Sequence, residues 1–346
     1  MTLTNKNKTI QKKQFNELHH RNIHIYDDFS LLTEKYPELK KCIKTYNGNV
    51  RINYNNPTAL YYISKTLLHY RYNIIWDIPD NFLIPTIPSR ANYVHFIADL
   101  LTPEHFYNTE TFAEIGSNDK RITFKLDKHQ RPCPAELIPK GKNVIGLDIG
   151  IGANCVLSLL CNKIYFWNMV GTDISNDSLK VSDSIIKNNS LSDHIILLLQ
   201  ENPQNILLGI LNRPDIQTLN FSFAICNPPY YDSAEDSKTS IHPNRHRTCR
   251  KHEIITHGGE SQFILNMYSQ SKYFQKRVIW YTSQVSKLKN LKFLRDTLGK
   301  EISSNELKSL RCMTLKQGKR DKWVIAWSFF EKEERSSILK FLRNNT

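Results

Sequence analysis

The chain has 346 residues, 40% of them hydrophobic, which is enough for one large domain or two modest ones around a substantial core. Its 47 Lys and Arg against 33 Asp and Glu leave a net charge of +14. That balance favours a polyanionic partner, with nucleic acid ahead of an anionic membrane surface. No apolar run approaches the ~20 residues of a membrane span, and the basic start MTLTNKNKTIQKKQ lacks a signal peptide's apolar centre. The seven cysteines (Cys42, Cys133, Cys155, Cys161, Cys226, Cys249, Cys312) are scattered and form no CxxC pair, so reduced thiols in an intracellular compartment are expected.

Residues 1–20 read as a basic flexible arm, and 21–102 as a mostly helical module. Within it, Leu31, Leu32, Tyr36 and Leu39 recur at helical spacing. Pro57 and Thr58 open a second amphipathic run through Ala59, Leu60, Ile63, Leu67 and Leu68. Pro79, Pro85 and Pro88 make 74–88 an extended connector. Ser89 is the expected cap of a helix from Arg90 to Leu101. Residues 103–141 are an insertion or linker, with a short hairpin conceivable around Ile122–Leu126. From 142 to 332 strand and helix signals alternate, which predicts βαβ units and a parallel sheet. The expected strands are 143–150, Tyr165–Asp173, Ile195–Leu199, Phe221–Cys226 and Arg277–Thr282, followed by a hairpin of Ser309–Leu315 and Trp323–Phe330. The intervening helices are Cys155–Leu160, Asp177–Lys187 capped by Asp177, Glu260–Phe274 and Lys287–Leu298. Residues 333–346 read as a tail.

Three stretches carry chemistry. Asp148, Gly150 and Gly152 follow the first strand, where glycines let backbone approach a ligand and a helix start offers free N–H groups. Asp173 ends the second strand, placed to accept from a ribose. A nicotinamide dehydrogenase shows a similar pairing, but Ala153 stands where its third glycine belongs. The fourth strand runs into Asn227, Pro228, Pro229 and Tyr230. Asn-Pro-Pro alone is equally a turn. At the carboxyl edge of a sheet, however, the Asn227 amide oxygen and the Pro228 carbonyl can take both hydrogens of an exocyclic amine. The nitrogen then pyramidalises and becomes nucleophilic, with the Tyr230 ring stacked on the base. Glycine turn, second-strand acid and NPPY in this order fit an S-adenosylmethionine-dependent methyltransferase better than a dehydrogenase.

Basic residues surround that core. His242, Arg245, His246, Arg247, Arg250, Lys251 and His252 follow NPPY with no acid among 242–252. They suit either phosphate contacts beside a flipped nucleotide or an ordinary surface loop. His242, His246, Cys249 and His252 are metal-ligand types, but their spacing matches no standard site, so no metal is expected. Lys287 and Lys289, then Lys316, Lys319, Arg320 and Lys322 in LKQGKRDK, form either a groove wall or solvated turns. Arg90 is either a surface arginine or a cation reaching the cofactor's carboxylate.

Taken together, LHHRN (18–22), WDIPDNFLIPTIPSRANYVHFIADLL, GLDIGIGANC, NPPYYDS, HGGESQFI, WYTSQVS and LKQGKR with VIAWSFF resemble one family. It is the N6-adenosine RNA methyltransferases, which include the eukaryotic U6 snRNA enzyme and the bacterial 23S rRNA adenine enzyme. The resemblance implies a Rossmann-like α/β domain, behind a small helical module that helps form the RNA groove. It implies S-adenosyl-L-methionine as cofactor and RNA as partner; no membrane partner and a monomer are expected. Carried over by motif, Arg90, Gly150, Asp173 and the backbone of Ile206 join Asp148 and Gly152 as cofactor-binding candidates, and Asn227–Tyr230 as the catalytic pocket. Arg21, Arg245, Arg247, Arg250, Lys251, Lys287, Lys289, Lys316, Lys319 and Arg320 are the RNA-binding candidates. Asn205 stands where the animal enzymes carry a regulatory lysine, and no C-terminal extension of the vertebrate kind is expected. LIPTIP looks eukaryotic, whereas NPPYYDS and WYTSQVS look bacterial. The N-terminal arm and the insertion favour U6 snRNA and a nuclear or cytoplasmic protein; the alternative is 23S rRNA in a bacterial cytoplasm. Rival readings are a protein glutamine methyltransferase, which the basic segments disfavour, and a non-catalytic RNA-binding subunit, which the intact Asn227 and Tyr230 disfavour.

Overall fold

The computed structural model describes residues 28–46, 49–53, 56, 58–103, 135–240, 249–317 and 320–345. The basic arm, Arg21, the conceivable hairpin at Ile122–Leu126, Arg245, Arg247 and Lys319 lie outside the described residues. At the N-terminus, α1 (Phe29–Lys35) is capped by Asp28, whose carboxylate accepts from Ser30 and Leu31 N–H. Pro37 stops it and opens a 3-10 turn to Cys42. The chain then forms an antiparallel pair, β1 (Ile43–Tyr46) and β2 (Asn49–Ile52), which the helical pattern does not predict. α2 (Ala59–Tyr72) ends at Asn73 in the left-handed region, φ 51°.

The third helix, α3, runs Ile87–Leu100 and starts three residues before the expected position. Pro88 occupies its first turn, where a missing N–H costs nothing. Ser89 is therefore inside the helix and not its cap; it is buried and accepts from Gln284 Nε2 at 3.3 Å.

Seven strands form the main sheet: β3 (Ile145–Ile149), β4 (Asn168–Asp173), β5 (Ile195–Leu199), β6 (Phe221–Cys226), β7 (Val278–Val285), β8 (Ser309–Gln317) and β9 (Arg320–Ser328). Their order is β5-β4-β3-β6-β7-β9-β8; the first five are parallel, and β9 and β8 close the edge antiparallel. The crossover helices are α4 (Val156–Tyr165), α5 (Asn176–Asn188), the short α6 (Leu208–Leu211), α7 (Ala234–Ser240) and α8 (Lys251–Ile254), then α9 (Gly259–Phe274) and α10 (Leu288–Ser303). α5 is capped by Ser175, which accepts from Ser178 N–H, and not by Asp177. The central strands are buried on both faces, as expected for near-continuous apolar runs in a parallel sheet.

One face of the sheet carries α3, α4 and α5 in a core that runs unbroken from Leu32, Leu67 and Phe96 to Leu160 and Trp280. The helical N-terminal residues are thus packed on the sheet rather than set apart from it. The other face carries α9 and α10 through Ile264, Met267, Leu291 and Leu294. The segment expected as a tail instead carries α11 (Lys332–Asn344). Its Arg335 guanidinium and that of Arg311 lie 4.9 and 4.6 Å from the Trp280 ring centroid, while Leu339 and Leu342 are buried.

Because β3 continues to β4 and β5 on one side while β6 and β7 lie on the other, the sheet has its topological switch between β3 and β6. In open α/β sheets such a switch point, beyond the carboxyl ends of the strands, is where ligands bind.

Candidate active site

Strand register puts the three sequence motifs in one row. Ile149 pairs with Thr172 on β4 and with Cys226 on β6. Gly150, Asp173 and Asn227 therefore leave three adjacent strands at one level, with neighbouring strands about 4.8 Å apart. Gly150 has φ +70°, and a Cβ there would meet nothing within 4 Å, so the loop faces open space above the strand end. Gly152 is also left-handed, φ +64°. Its N–H donates to Asp173 Oδ2 at 2.9 Å, and Ser175 N–H donates to Asp173 Oδ1 at 2.8 Å. Asp173 thus holds the glycine loop against the β4 exit and keeps acceptor capacity on both oxygens. Burial raises its pKa, and these N–H donors oppose the rise.

Beneath the loop, Asp148 is almost fully buried. Ser158 Oγ donates to its Oδ2 at 2.7 Å, and Oδ1 has no partner among the described residues. Burial pushes its carboxyl up to about 7, with the Arg90 guanidinium working in the opposite direction. Arg90 is a buried residue of α3 and not a surface arginine. Its Nη1 donates to Gln284 Oε1 and its Nη2 to the Tyr230 hydroxyl at 3.3 Å, both neutral groups. A buried guanidinium with neutral partners and N–H donors to spare attracts an anion. On the far side, the Ile206 loop is held by Gln200 Nε2 donating to Asn205 O and by Leu207 N–H donating to Gln270 Oε1 at 2.7 Å. These residues fit S-adenosylmethionine by chemistry. Arg90 suits its carboxylate, the orphaned Asp148 oxygen suits an ammonium donor, and Asp173 suits the ribose hydroxyls.

The NPPY segment is positioned as firmly. Tyr93 OH makes 3.3 Å hydrogen bonds with both the N–H and the carbonyl of Cys226 and a 2.8 Å bond to Thr282, pinning the end of β6. Asn227 is half-buried, and its Oδ1 accepts from the Tyr230 hydroxyl, which in turn accepts from Arg90. A chain Ser89–Gln284–Arg90–Tyr230–Asn227 therefore orients the carboxamide. A carboxamide oxygen has two lone pairs, so one acceptor direction remains for a substrate amine. Lys322 Nζ sits 5.3 Å from the Tyr230 ring centroid, and Lys287 Nζ lies 5.8 Å from that of Tyr231.

The basic candidates divide. Lys287 is at the site rim, whereas Lys251 and Lys289 are exposed on α8 and α10. Arg250 is committed within the protein: its guanidinium pairs with Asp177 at 2.8 Å and stacks on Phe82 at 4.2 Å. It is a poor phosphate ligand in this conformation. Lys316 and Arg320 occupy the facing ends of β8 and β9. His252 Nε2 is enclosed without a partner among the described residues, while His242 and His246 lie outside them. Sequence reasoning does not single out Gln284, Tyr93, Glu253 or Glu260. The buried Glu260 accepts from Ser286 N–H at 2.6 Å and Asn290 at 2.8 Å, fixing the loop that carries Lys287. The strings WYTSQVS and HGGESQFI around Gln284 and Glu260 are the available signal, but neither string names a partner.

Comparison with known proteins points the same way. A family model described as RNA methyltransferase matches residues 12–117 and 134–331. The ribosomal RNA large subunit methyltransferase F of Flavobacterium johnsoniae is 34% identical over 95% of this chain and 99% of its own. That of Bacteroides thetaiotaomicron is 36% identical over 91% of this chain and 98% of its own. Among solved structures, the human METTL16 catalytic domain in complex with MAT2A 3'UTR hairpin 6 superposes with a TM-score of 0.69. It is 26% identical, over 91% of this chain and 98% of its own. The N-terminal domain of human METTL16 in complex with SAH gives 0.64 at 26% identity, covering 91% of this chain and 99% of that one.

Proposed function

The chain belongs to the RNA methyltransferase family, and on that footing we propose that it methylates N6 of an adenine in large-subunit ribosomal RNA. It is an S-adenosylmethionine-dependent enzyme acting on RNA. The expectation of U6 snRNA and a nuclear site gives way to ribosomal RNA and a bacterial-type cytoplasm. What favours ribosomal RNA is that relatives at 34% and 36% identity over nearly the whole chain carry that name. The human METTL16 domains stand at 26%.

One observation carries the chemistry. Asn227, with its oxygen aimed by Tyr230 and Arg90, leaves the strand that neighbours the glycine loop. When bound, the cofactor supplies an electrophilic sulfonium methyl group. Asn227 Oδ1 and the Pro228 carbonyl accept the two N6 hydrogens of the base, weakening conjugation of the amine with the purine ring. The Tyr230 ring packs on the base. Both acceptors are neutral, so neither retains the proton, which passes to solvent after transfer. The gain is positioning and preorganised electrostatics, with no general base required beforehand. Arg90, Asp148, Gly150, Gly152, Asp173 and Ile206 hold the cofactor in this reading.

The test is nucleoside mass spectrometry and site mapping of ribosomal RNA from cells with the gene, without it, and with the Asn227→Ala form. One N6-methyladenosine of the large-subunit RNA is expected to disappear in both altered strains. Unchanged ribosomal RNA with a lost methyl group on another RNA would overturn the substrate assignment.

A further inference from the structure

We propose that Glu253, which touches neither base nor cofactor in the reading above, is a positioning residue that sets the catalytic edge against the cofactor loop. The proposal rests on the methyltransferase reading of this site. NPPY has no regular element directly after it, so something must fix where Tyr230 leaves the sheet. The N–H groups of Tyr230 and Tyr231 both donate to the Ile254 carbonyl, at 3.0 and 2.9 Å, and Thr256 N–H donates back to Tyr231 O at 2.9 Å. Tyr231 and Ile255 form a parallel bridge there. The exit of the catalytic tetrapeptide is thus zipped to residues 254–256, and its position is only as fixed as theirs.

Those residues are anchored by the side chain immediately before them. Both Glu253 oxygens accept from Leu83 N–H, at 3.2 and 3.0 Å, and Oε2 also accepts from Arg250 N–H at 2.8 Å. Arg250 ties the same turn to Asp177, four residues beyond the ribose acid Asp173, and to the Phe82 ring. The Leu83 carbonyl faces the cofactor side, where it accepts from Asn154 Nδ2 at 3.2 Å, two residues past Gly152. Leu83 therefore holds the glycine loop through its C=O and the NPPY exit through its N–H, with Glu253 as the link between them. Backbone-to-carboxylate bonds of this kind are charge-assisted and about twice as strong as neutral ones. Gln in place of Glu presents an NH2 to backbone N–H groups and can satisfy only part of the set.

The experiment uses the full chain carrying Glu253→Gln. Amide hydrogen exchange, kcat and KM on large-subunit RNA, and cofactor affinity by calorimetry are measured. Expected are faster exchange at Tyr230 and Tyr231 with β3 and β6 unchanged, and kcat lower by ~10-fold or more, since a misplacement of about 1 Å can cost 10²-fold. Cofactor Kd is expected close to that of wild type, as the loop keeps its Gly152–Asp173 and Asn154–Leu83 contacts. Wild-type kcat and exchange would overturn the proposal. So would exchange raised across the whole sheet, or a cofactor Kd weakened as much as kcat, since either means support of the fold or pocket alone. If Glu253→Gln does not fold, Glu253→Asp is read the same way: it keeps the charge but is one methylene short of reaching the Leu83 and Arg250 N–H groups together. An absence of wild-type methyl transfer to this RNA would sink the substrate reading, while the exchange data would still decide the role of Glu253.

Discussion

At the scale of single residues, the site couples one carboxamide to one buried cation. Arg90 reaches Asn227 through Tyr230, and it also moderates the charge of Asp148. Asn227→Ala removes the oriented acceptor while leaving every basic side chain in place. Turnover should fall at least ~10²-fold, the scale of a missing preorganised acceptor, with RNA Kd nearly unchanged; filter binding and single-turnover kinetics on one preparation check both. Asp148 makes a different prediction. Its folded pKa is raised from the ordinary carboxylate range to about 7, so the folded state favours the protonated acid. The stability it contributes is full below the unfolded pKa near 4 and is lost as pH rises through about 7. Asp148→Asn removes that titration. Urea midpoints of the cofactor-free proteins should therefore show wild type losing ground to the variant between about pH 4 and pH 7, with no further loss above that. A constant gap between the two would place the charge elsewhere. That an acid follows the first strand is readable from GLDIG. That one of its oxygens lacks a partner among the described residues is not, since partnering depends on how distant segments such as the helix carrying Ser158 are placed.

At the scale of elements, legibility follows burial geometry. β5 and β6 match their expected limits because short apolar runs bounded by polar residues have one reading in an alternating α/β pattern. α3 does not, because a helix buried on nearly every side shows no polar face by which to locate its start. Pro88 then reads as connector and Ser89 as cap. The β1–β2 pair escapes a helical reading of its surroundings although Asn47-Gly48, a strong hairpin dipeptide, stands between the strands. α11 resembles a tail because its apolar residues are few; Arg335 supplies apolar contact by laying its stem and guanidinium on Trp280. The centre of the sheet offers the sharpest test. A Cβ on Gly146 would stand 2.4 Å from the Phe223 ring and 2.8 Å from Met169 Sδ, both buried. Gly146→Ala must push β3 from β6 or displace the ring, and overpacking of this kind costs ~1–3 kcal/mol. Since Gly150 and Asn227 leave those two strands, kcat should drop along with the denaturation midpoint. A destabilised variant with wild-type kcat would show that the strand exits tolerate the shift.

For the molecule as a whole, the question is how a net charge of +14 is used. Part of the basic surface is neutralised within the protein, as with Arg250 on Asp177 and Lys272 on Glu301 and Glu306. Such pairs contribute little to polyanion binding. Lys322 and Lys287 differ: they stand over Tyr230 and Tyr231, beside the proposed base site. Cations there can meet the phosphates flanking the target base, so their effect should be electrostatic and independent of base identity. The sequence presents these lysines without separating them from Lys289 or Lys316, because closeness to Tyr230 is set by β9 pairing with β7 across the intervening α10 and β8. Removing one phosphate-binding cation should flatten the dependence of log K on log salt by ~0.7–0.9. The double variant Lys287→Gln, Lys322→Gln is therefore expected to lower the slope by about 1.5. RNA affinity should weaken at low salt and converge on wild type as salt rises. Lys289→Gln, on the exposed face of α10, should change the slope by less than half as much as either site lysine. If all three lysines proved interchangeable in this titration, the RNA path would be spread over the whole basic surface rather than focused on the tyrosine pair.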